Sequence, residues 1–354
     1  MLKLFFFLFL FCDINAFVSL PPPRPPFKII SSKIIPSNDF YNKNQSLPVT
    51  PVEAFQPKSD SKLKYKAGLL FLAMIWGSNF GAIKLLENIL DTSTLNTIRF
   101  FLATISLSPW SLGITKDLWW AGIEIGLWVT FAYFSQSLGL ETIDSNKSAF
   151  ICSLSVIIVP LLNGLRGKKI ANIIWISSIF AILGVGLITL PSMNGNGLKG
   201  VLQSFGQPLG FGMGYVLLEK YKSKYAGKEL SMAFIQMLTV FTCSLIYSII
   251  KQNFVLDWNI LAQPNNILTL LYTGCITSAF AIALETKISS YVDAEETALI
   301  LTTEPIWALL TSMIFLHESI SGIDILGSSL IFLACLVSNN LNTFKFKIKD
   351  ELIE

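Results

Sequence analysis

Charge is what this chain is short of. Only 14% of its 354 residues are Asp, Glu, Lys or Arg, against 52% hydrophobic ones. That is too little polarity to clothe a soluble protein of this length. Histidine is almost missing: His317 is the single one, beside Glu318, where an interfacial polar role suits it better than a ligand's. The five cysteines, Cys12, Cys152, Cys243, Cys275 and Cys335, form no CxxC pair, and four of them sit in apolar runs. Neither a disulfide framework nor a zinc site is expected. No GxxxxGK[ST] loop occurs, which excludes an ATP-driven pump within this chain, and HExxH and GxSxG are absent as well. The apolar segments hold no spaced His/Asp or Ser/His set, so no enzyme, cofactor or metal is expected. The net charge of +3 is small and its basic residues are not gathered into one face, so no nucleic-acid partner is expected either.

What is present begins with a leader. Residues 1–16 read as a signal peptide: Lys3 is basic, Leu4 to Phe11 is apolar but too short to span, and Asn15–Ala16 offers a small-residue cleavage point. Residues 17–62 hold nine of the fifteen prolines and more basic than acidic residues, a composition that buries no core and is expected to be disordered. The two parts together resemble the presequence of proteins sent into complex plastids, in which a phenylalanine follows the cleavage site as Phe17 does here. The expected location is a plastid envelope. A secretory signal with a plain linker, leading to another endomembrane or the plasma membrane, is the alternative.

From Lys66 the chain becomes a train of apolar segments with short polar breaks. Ten are long enough to span a bilayer, at about 67–86, 94–111, 118–139, 146–165, 171–190, 198–219, 230–250, 265–286, 294–316 and 320–341. Short connections make successive spans antiparallel, and no loop has room for a soluble catalytic domain. Sixteen basic residues, from Lys58 to Lys349, fall on the side of the N-terminal tail. Only Lys84, Lys147, Lys199 and Lys251 fall on the other. That bias puts both termini on the cytosol-like side, here called side one.

The ten spans divide into five plus five. Ile75 to Lys84 (IWGSNFGAIK) can be laid on Gly210 to Glu219 (GFGMGYVLLE), pairing Trp76–Gly77 with Phe211–Gly212. Ser148 to Leu162 lies on Thr297 to Thr311, and Ile98 to Phe100 falls on Ile235 to Met237. An odd number of spans per unit makes the second copy enter the membrane with opposite polarity, so the halves are inverted, as in many carriers. The fold class expected is an all-α integral membrane protein of ten helices in two inverted repeats.

These segments carry a resemblance. IWGSNFGAIK, the RFFLA of Arg99 to Ala103, and Thr302 to Val337 with its proline-bearing ninth span and exit Glu318 resemble the EamA branch of the drug/metabolite transporter superfamily. The resemblance implies a first repeat over 66–191 (helices 1–5), a second over 198–341 (helices 6–10), and a charged tail over 342–354. It also implies secondary transport of a small organic metabolite across a lipid bilayer, with a non-transporting receptor or assembly factor as the alternative. Where the family often shows a glutamate like Glu318, the first repeat has RGKKI, Arg166 to Ile170. The related plastid phosphate translocators use basic residues deep in their last helices. Helices eight to ten here carry only Lys287, which argues against phosphorylated sugars.

Glu304 is the sharpest candidate, a carboxylate near the middle of the ninth span followed by Pro305 and Trp307. At that depth it must be paired, protonated or facing water. It is expected to look into a polar path, as a cation-binding or proton-exchanging group, with a buried pair to Arg99 as the structural alternative. Trp76, Asn79, Arg99, Tyr215, Gln236, Glu304 and Trp307 are the expected cavity residues. Lys84 and Glu219, equivalent in the two repeats, are candidate gates or interfacial anchors. Pro305 is expected to kink its helix. Gly77 with Gly81, and Gly206 with Gly210 and Gly214, form small-residue faces for close helix packing.

Overall fold

The computed structural model describes residues 59–167, 172–189, 196–251, 262–317, 321–334 and 337. The signal-peptide segment, nearly all of the transit-like segment and the charged tail lie outside the described residues. The described chain is helical throughout, with no strand among the described residues. Its first repeat runs α1 (Ser59–Glu87), α2 (Thr92–Leu107), α3 (Lys116–Leu140), α4 (Ser145–Cys152), α5 (Ser155–Leu165) and α6 (Asn172–Thr189). The second runs α7 (Asn196–Ser204), α8 (Gly206–Tyr221), α9 (Glu229–Lys251), α10 (Pro264–Leu271), α11 (Ala281–Ile288), α12 (Ala294–Leu301), α13 (Glu304–Phe315) and α14 (Gly322–Ala334). A π-helical stretch, Tyr272–Phe280, joins α10 to α11.

Reading α4 with α5, α7 with α8, α10 through α11, and α12 with α13 as single crossings gives ten rods. Three crossings expected to be one helix are therefore interrupted. The break in the ninth span lies at Thr302–Thr303, and the one in the fourth at Ser153–Leu154. Under the sequence correspondence of the repeats, Cys152 falls on Leu301 and Ser155 on Glu304, so both copies break at the same place. The cause is the same in each: Ser153 Oγ donates to Phe150 O at 2.6 Å, and Thr302 Oγ1 donates to the matching Leu299 O. Such back-bonding hydroxyls compete with the helical ladder. Pro305 consequently starts α13 rather than kinking a continuous helix. In a first turn its missing N–H costs nothing.

Close packing repeats the same symmetry. A Cβ added at Gly77 would lie 2.5 Å from Trp307 Cβ and 2.8 Å from Ala308 N. One at Gly212 would meet the equivalent Ile158 and Val159, at 3.2 and 3.4 Å. Gly126 presses on Thr239 as Gly274 presses on Leu102, residues that match when Arg99 is laid on Gln236. Gly206 and Gly210 bring α8 onto Ser135, Trp128 and Ala132 of α3. Each half thus docks on the other through glycine faces, as backbones do in lipid, where apolar burial between helices gives little.

The distribution of polarity is inside-out. Phe101, Ile105, Trp120, Leu127, Ile179, Ile249, Ile314 and Leu326 face outward, while Asn79, Arg99, Gln136, Gln207, Gln236, Glu285 and Glu304 are buried. Water would not tolerate so large an apolar exterior on a monomer; acyl chains require it. Five of the described helical stretches are long and apolar enough to cross a membrane on their own, among them Leu63–Glu87, Glu229–Lys251 and Ala294–Phe315. The protein is an integral membrane protein with an all-α, ten-helix fold.

Candidate functional site

Where the two broken crossings meet, the bundle leaves a small polar hollow with room for about one water. Span one contributes Trp76 and Asn79, and α3 contributes Tyr133 and Gln136. Cys152 comes from the break after α4, Phe211 and Tyr215 from α8, and Glu304 from the break before α13. Trp76 and its repeat counterpart Phe211 stack with centroids 6.3 Å apart, and Tyr133 meets Phe211 edge-on at 5.2 Å. The hollow is thus lined by residues of both repeats, with Trp76 and Phe211 as one corresponding pair.

The wall is held from behind. In the π-helical stretch the Ala281 N–H passes over Thr277 and bonds Ile276 O. This releases Thr277 O to accept from Trp76 Nε1 at 3.1 Å. Thr277 Oγ1 donates to Asn79 Oδ1 at 2.6 Å, and Ser78 and Tyr272 share a hydrogen bond. π-bulges free backbone groups in this way at functional positions. On the other side Gln136 Nε2 approaches Gln207 Oε1 at 3.4 Å, and Gln207 Nε2 donates to Ser148 Oγ at 2.9 Å. Two atoms of the wall stay without a partner, Tyr133 Oη and Gln136 Oε1. A buried polar atom left so costs about 1–3 kcal/mol.

Glu304 stands in the first turn of α13, where the helix dipole favours negative charge. It is 7% exposed and has no hydrogen-bond or ion-pair partner among the described residues. Tyr133, Cys152 and Tyr215 line the hollow with it. Glu285 of α11 is a second buried carboxylate, which sequence reasoning passed over. Its signal was present, as the one acidic residue inside the eighth apolar segment.

Four of the seven expected cavity residues, Trp76, Asn79, Tyr215 and Glu304, line the hollow, and three do not. Arg99 is fully buried behind the wall, its guanidinium 4.4 Å from the Phe100 ring centroid and 5.0 Å from that of Tyr133. None of its nitrogens has a hydrogen-bond partner, so the pair with Glu304 does not form. Gln236 bonds Thr286 Oγ1 at 3.3 Å, away from the hollow. Trp307 is placed by its packing on Gly77. Tyr133, Gln136, Cys152 and Phe211 were not among the expected cavity residues.

Different contacts tie the helices together at the two membrane faces. On side one, Lys222 pairs with Asp293 at 2.7 Å and Lys66 with Glu296 at 2.5 Å. Asn163 donates to Glu295 at 3.1 Å, and Tyr65 stacks on Tyr291 at 4.0 Å. Burial pushes the Tyr291 phenol up, which keeps it neutral in that stack. Glu219 accepts from Ala294 N at 3.4 Å. On side two, its counterpart Lys84 donates to Leu140 O and, at 2.9 Å, to Ile143 O. Each of these residues grips the connection that leads into a broken span, one per repeat and one per membrane face.

An inside-out bundle of two inverted repeats around a polar and aromatic hollow is the construction of a membrane transporter of the drug/metabolite type. The chain belongs to the EamA-like transporter family, whose model matches residues 65–190 and 198–340. It is 27% identical over 272 residues to a protein of Archaeoglobus fulgidus described as an uncharacterized transporter, covering 76% of this chain and 84% of that one. It is 29% identical over 171 residues to the uncharacterized transporter YwfM of Bacillus subtilis, covering 48% of this chain and 55% of that one. A solved crystal structure covers 80% of this chain and 99% of its own at a TM-score of 0.60. At 14% identity that likeness concerns the fold alone.

Proposed function

We propose that this protein is a secondary carrier that moves a small organic metabolite by alternating access around the hollow between its repeats. The observation that supports this best is the meeting of two equivalent helix breaks, Cys152 on one side and Glu304 on the other, in one buried polar space. Broken helices line midplane binding sites because they free polar groups where lipid allows none. Glu304 is the coupling group. A carboxylate isolated there is neutralised by a substrate cation or by a proton. Lys84 and Glu219 are the gates, holding equivalent connections at opposite faces. In proteoliposomes the full chain is expected to exchange at least one compound of a mixed metabolite panel. If none crosses faster than in protein-free vesicles, the carrier reading fails.

The gates give a sharper test. The pairs Lys222–Asp293 and Lys66–Glu296 are partly exposed, so each is worth only ~0.5 kcal/mol. Removing both lysines should shift the population open to side one about fivefold. With the other four cysteines replaced by serine, Cys152 reports the opening through its reaction rate with an impermeant thiosulfonate added on side one. An unchanged rate removes these pairs from the gate.

The leader over residues 1–16 and the segment over 17–62 support residence in a plastid envelope, with side one facing the stroma. A fluorescent protein fused to residues 1–62 and found outside plastids ends that assignment.

A further inference from the structure

Span eight is wound in two ways. From Tyr272 to Phe280 it is π-helical for nine residues, where a π-helix usually lasts a single turn. Each π turn takes in one more residue than an α turn, so a long stretch persists only where outside contacts hold it. Its upstream half is pinned against α2: a Cβ at Gly274 would lie 2.7 Å from Leu102 Cβ and 3.0 Å from Arg99 O. Ser78 and Tyr272 share a hydrogen bond there as well.

The downstream end turns on one carbonyl. An α-helix would give Thr277 O the N–H of Ala281, four residues on. Here that N–H goes to Ile276 O and Ser278 O, and Thr277 O accepts from Trp76 Nε1 at 3.1 Å instead. Thr277 O thus has two alternative donors, one for each winding, and inside a membrane it must have one of them. Trp76 also lines the hollow. Because the hollow has room for about one water, any larger occupant must displace a side chain of its wall. Displacing Trp76 breaks the bond to the backbone of span eight.

We infer that span eight has two registers, π-wound while Trp76 donates to Thr277 O and α-wound once that donor is withdrawn. The return to α-helix advances α11 by one residue, about 100° and ~1.5 Å. Glu285 then takes the place of Thr286, which now bonds Gln236 Nε2 at 3.3 Å. Lys287 leaves Glu229, its partner at 3.7 Å on side one, where Ser290 also holds that carboxylate. The hollow and the side-one contacts are thereby coupled through one two-state element. This rests on the carrier reading only for what displaces Trp76; the register is a property of the folded chain.

Cross-linking reads the register. In the purified full chain with all five cysteines replaced by serine, Gln236→Cys is combined with Thr286→Cys or with Glu285→Cys and oxidised with copper phenanthroline. The 286 pair is expected to link at least about tenfold faster than the 285 pair, because a disulfide needs close, well-aimed Cβ atoms. Adding Trp76→Phe, which removes the indole N–H, should reverse that order. Trp76→benzothienylalanine, isosteric with tryptophan but with sulfur in place of the N–H, should reverse it too, which separates loss of the donor from loss of packing. A 286 preference kept in both variants overturns the inference, and so does equal linking of the two pairs in the parent. Reversal in a chain that moves no metabolite sinks the carrier reading and leaves the two registers standing. Undiminished flux in both Trp76 variants, without reversal, sinks the two registers and leaves the carrier.

Discussion

Glu304→Gln is expected to reduce substrate flux by about 30-fold or more while leaving the amount of folded protein unchanged. The two side chains have nearly the same shape, and Glu304 is buried with no hydrogen-bond or ion-pair partner among the described residues to lose. The folded bundle therefore forfeits no contact. On the carrier reading what disappears is the group proposed to meet the substrate, and a charge-assisted contact in a buried site is worth ~2 kcal/mol or more, which is about 30-fold in affinity. The same variant loses any coupling to protons. A pH-sensitive dye trapped in the vesicles should record substrate-driven acidification or alkalinisation with the native chain and none with Glu304→Gln. Full flux in the variant would remove Glu304 from the transport cycle. A loss of monodisperse protein would assign it a structural role.

Gly77→Ala is expected to do the reverse, disturbing the fold at a position outside the lining of the hollow. The new methyl would sit 2.5 Å from Trp307 Cβ, 2.6 Å from Glu304 O and 2.8 Å from Ala308 N. All three atoms are on or next to the backbone of α13, so no side-chain rotation relieves the clash. The first span must move away from the ninth. Overpacking of this kind costs ~3 kcal/mol, equivalent to a fall in Tm of roughly 6–12 °C for a domain of this order of size. Gly81→Ala is the control, because its methyl would find Leu316 Cδ1 at 3.8 Å and Thr311 Oγ1 at 3.9 Å. That is ordinary contact, and Tm should hold or rise slightly, since Ala favours helix over Gly. Thermal unfolding followed by size-exclusion fluorescence separates the two. Equal melting of the variants would mean that the first and ninth spans are not packed through Gly77.

The residues that could be read in advance share one property: each breaks a local rule. Glu304 is a charge in an apolar run, Asn79 an amide beside Trp76 in another, and Tyr215 follows from the repeat. Tyr133 and Phe211 break no rule where they stand, since aromatic side chains are common in membrane helices, and Gln136 lies close to the polar end of α3. Arg99 shows the converse error. A buried guanidinium is conspicuous in a sequence, yet the Tyr133 ring stands between it and the hollow, and only the rotation of α2 about its axis decides that. The break at Ser153–Leu154 was hidden for another reason. No proline marks it, and a serine hydroxyl that turns back on Phe150 O reads like any other serine.

The linear order of residues by itself determined the membrane environment, the ten crossings and the division into two inverted halves. Each follows from the length and spacing of apolar runs, which a bilayer about 30 Å thick converts directly into helices. Tertiary structure alone decided which side chains share the central hollow, that the fourth and ninth crossings are interrupted there, and that Lys84 and Glu219 hold matching connections on opposite faces. Those outcomes depend on how each helix is rotated and how closely glycine lets it approach its neighbour, and hydropathy carries no record of either.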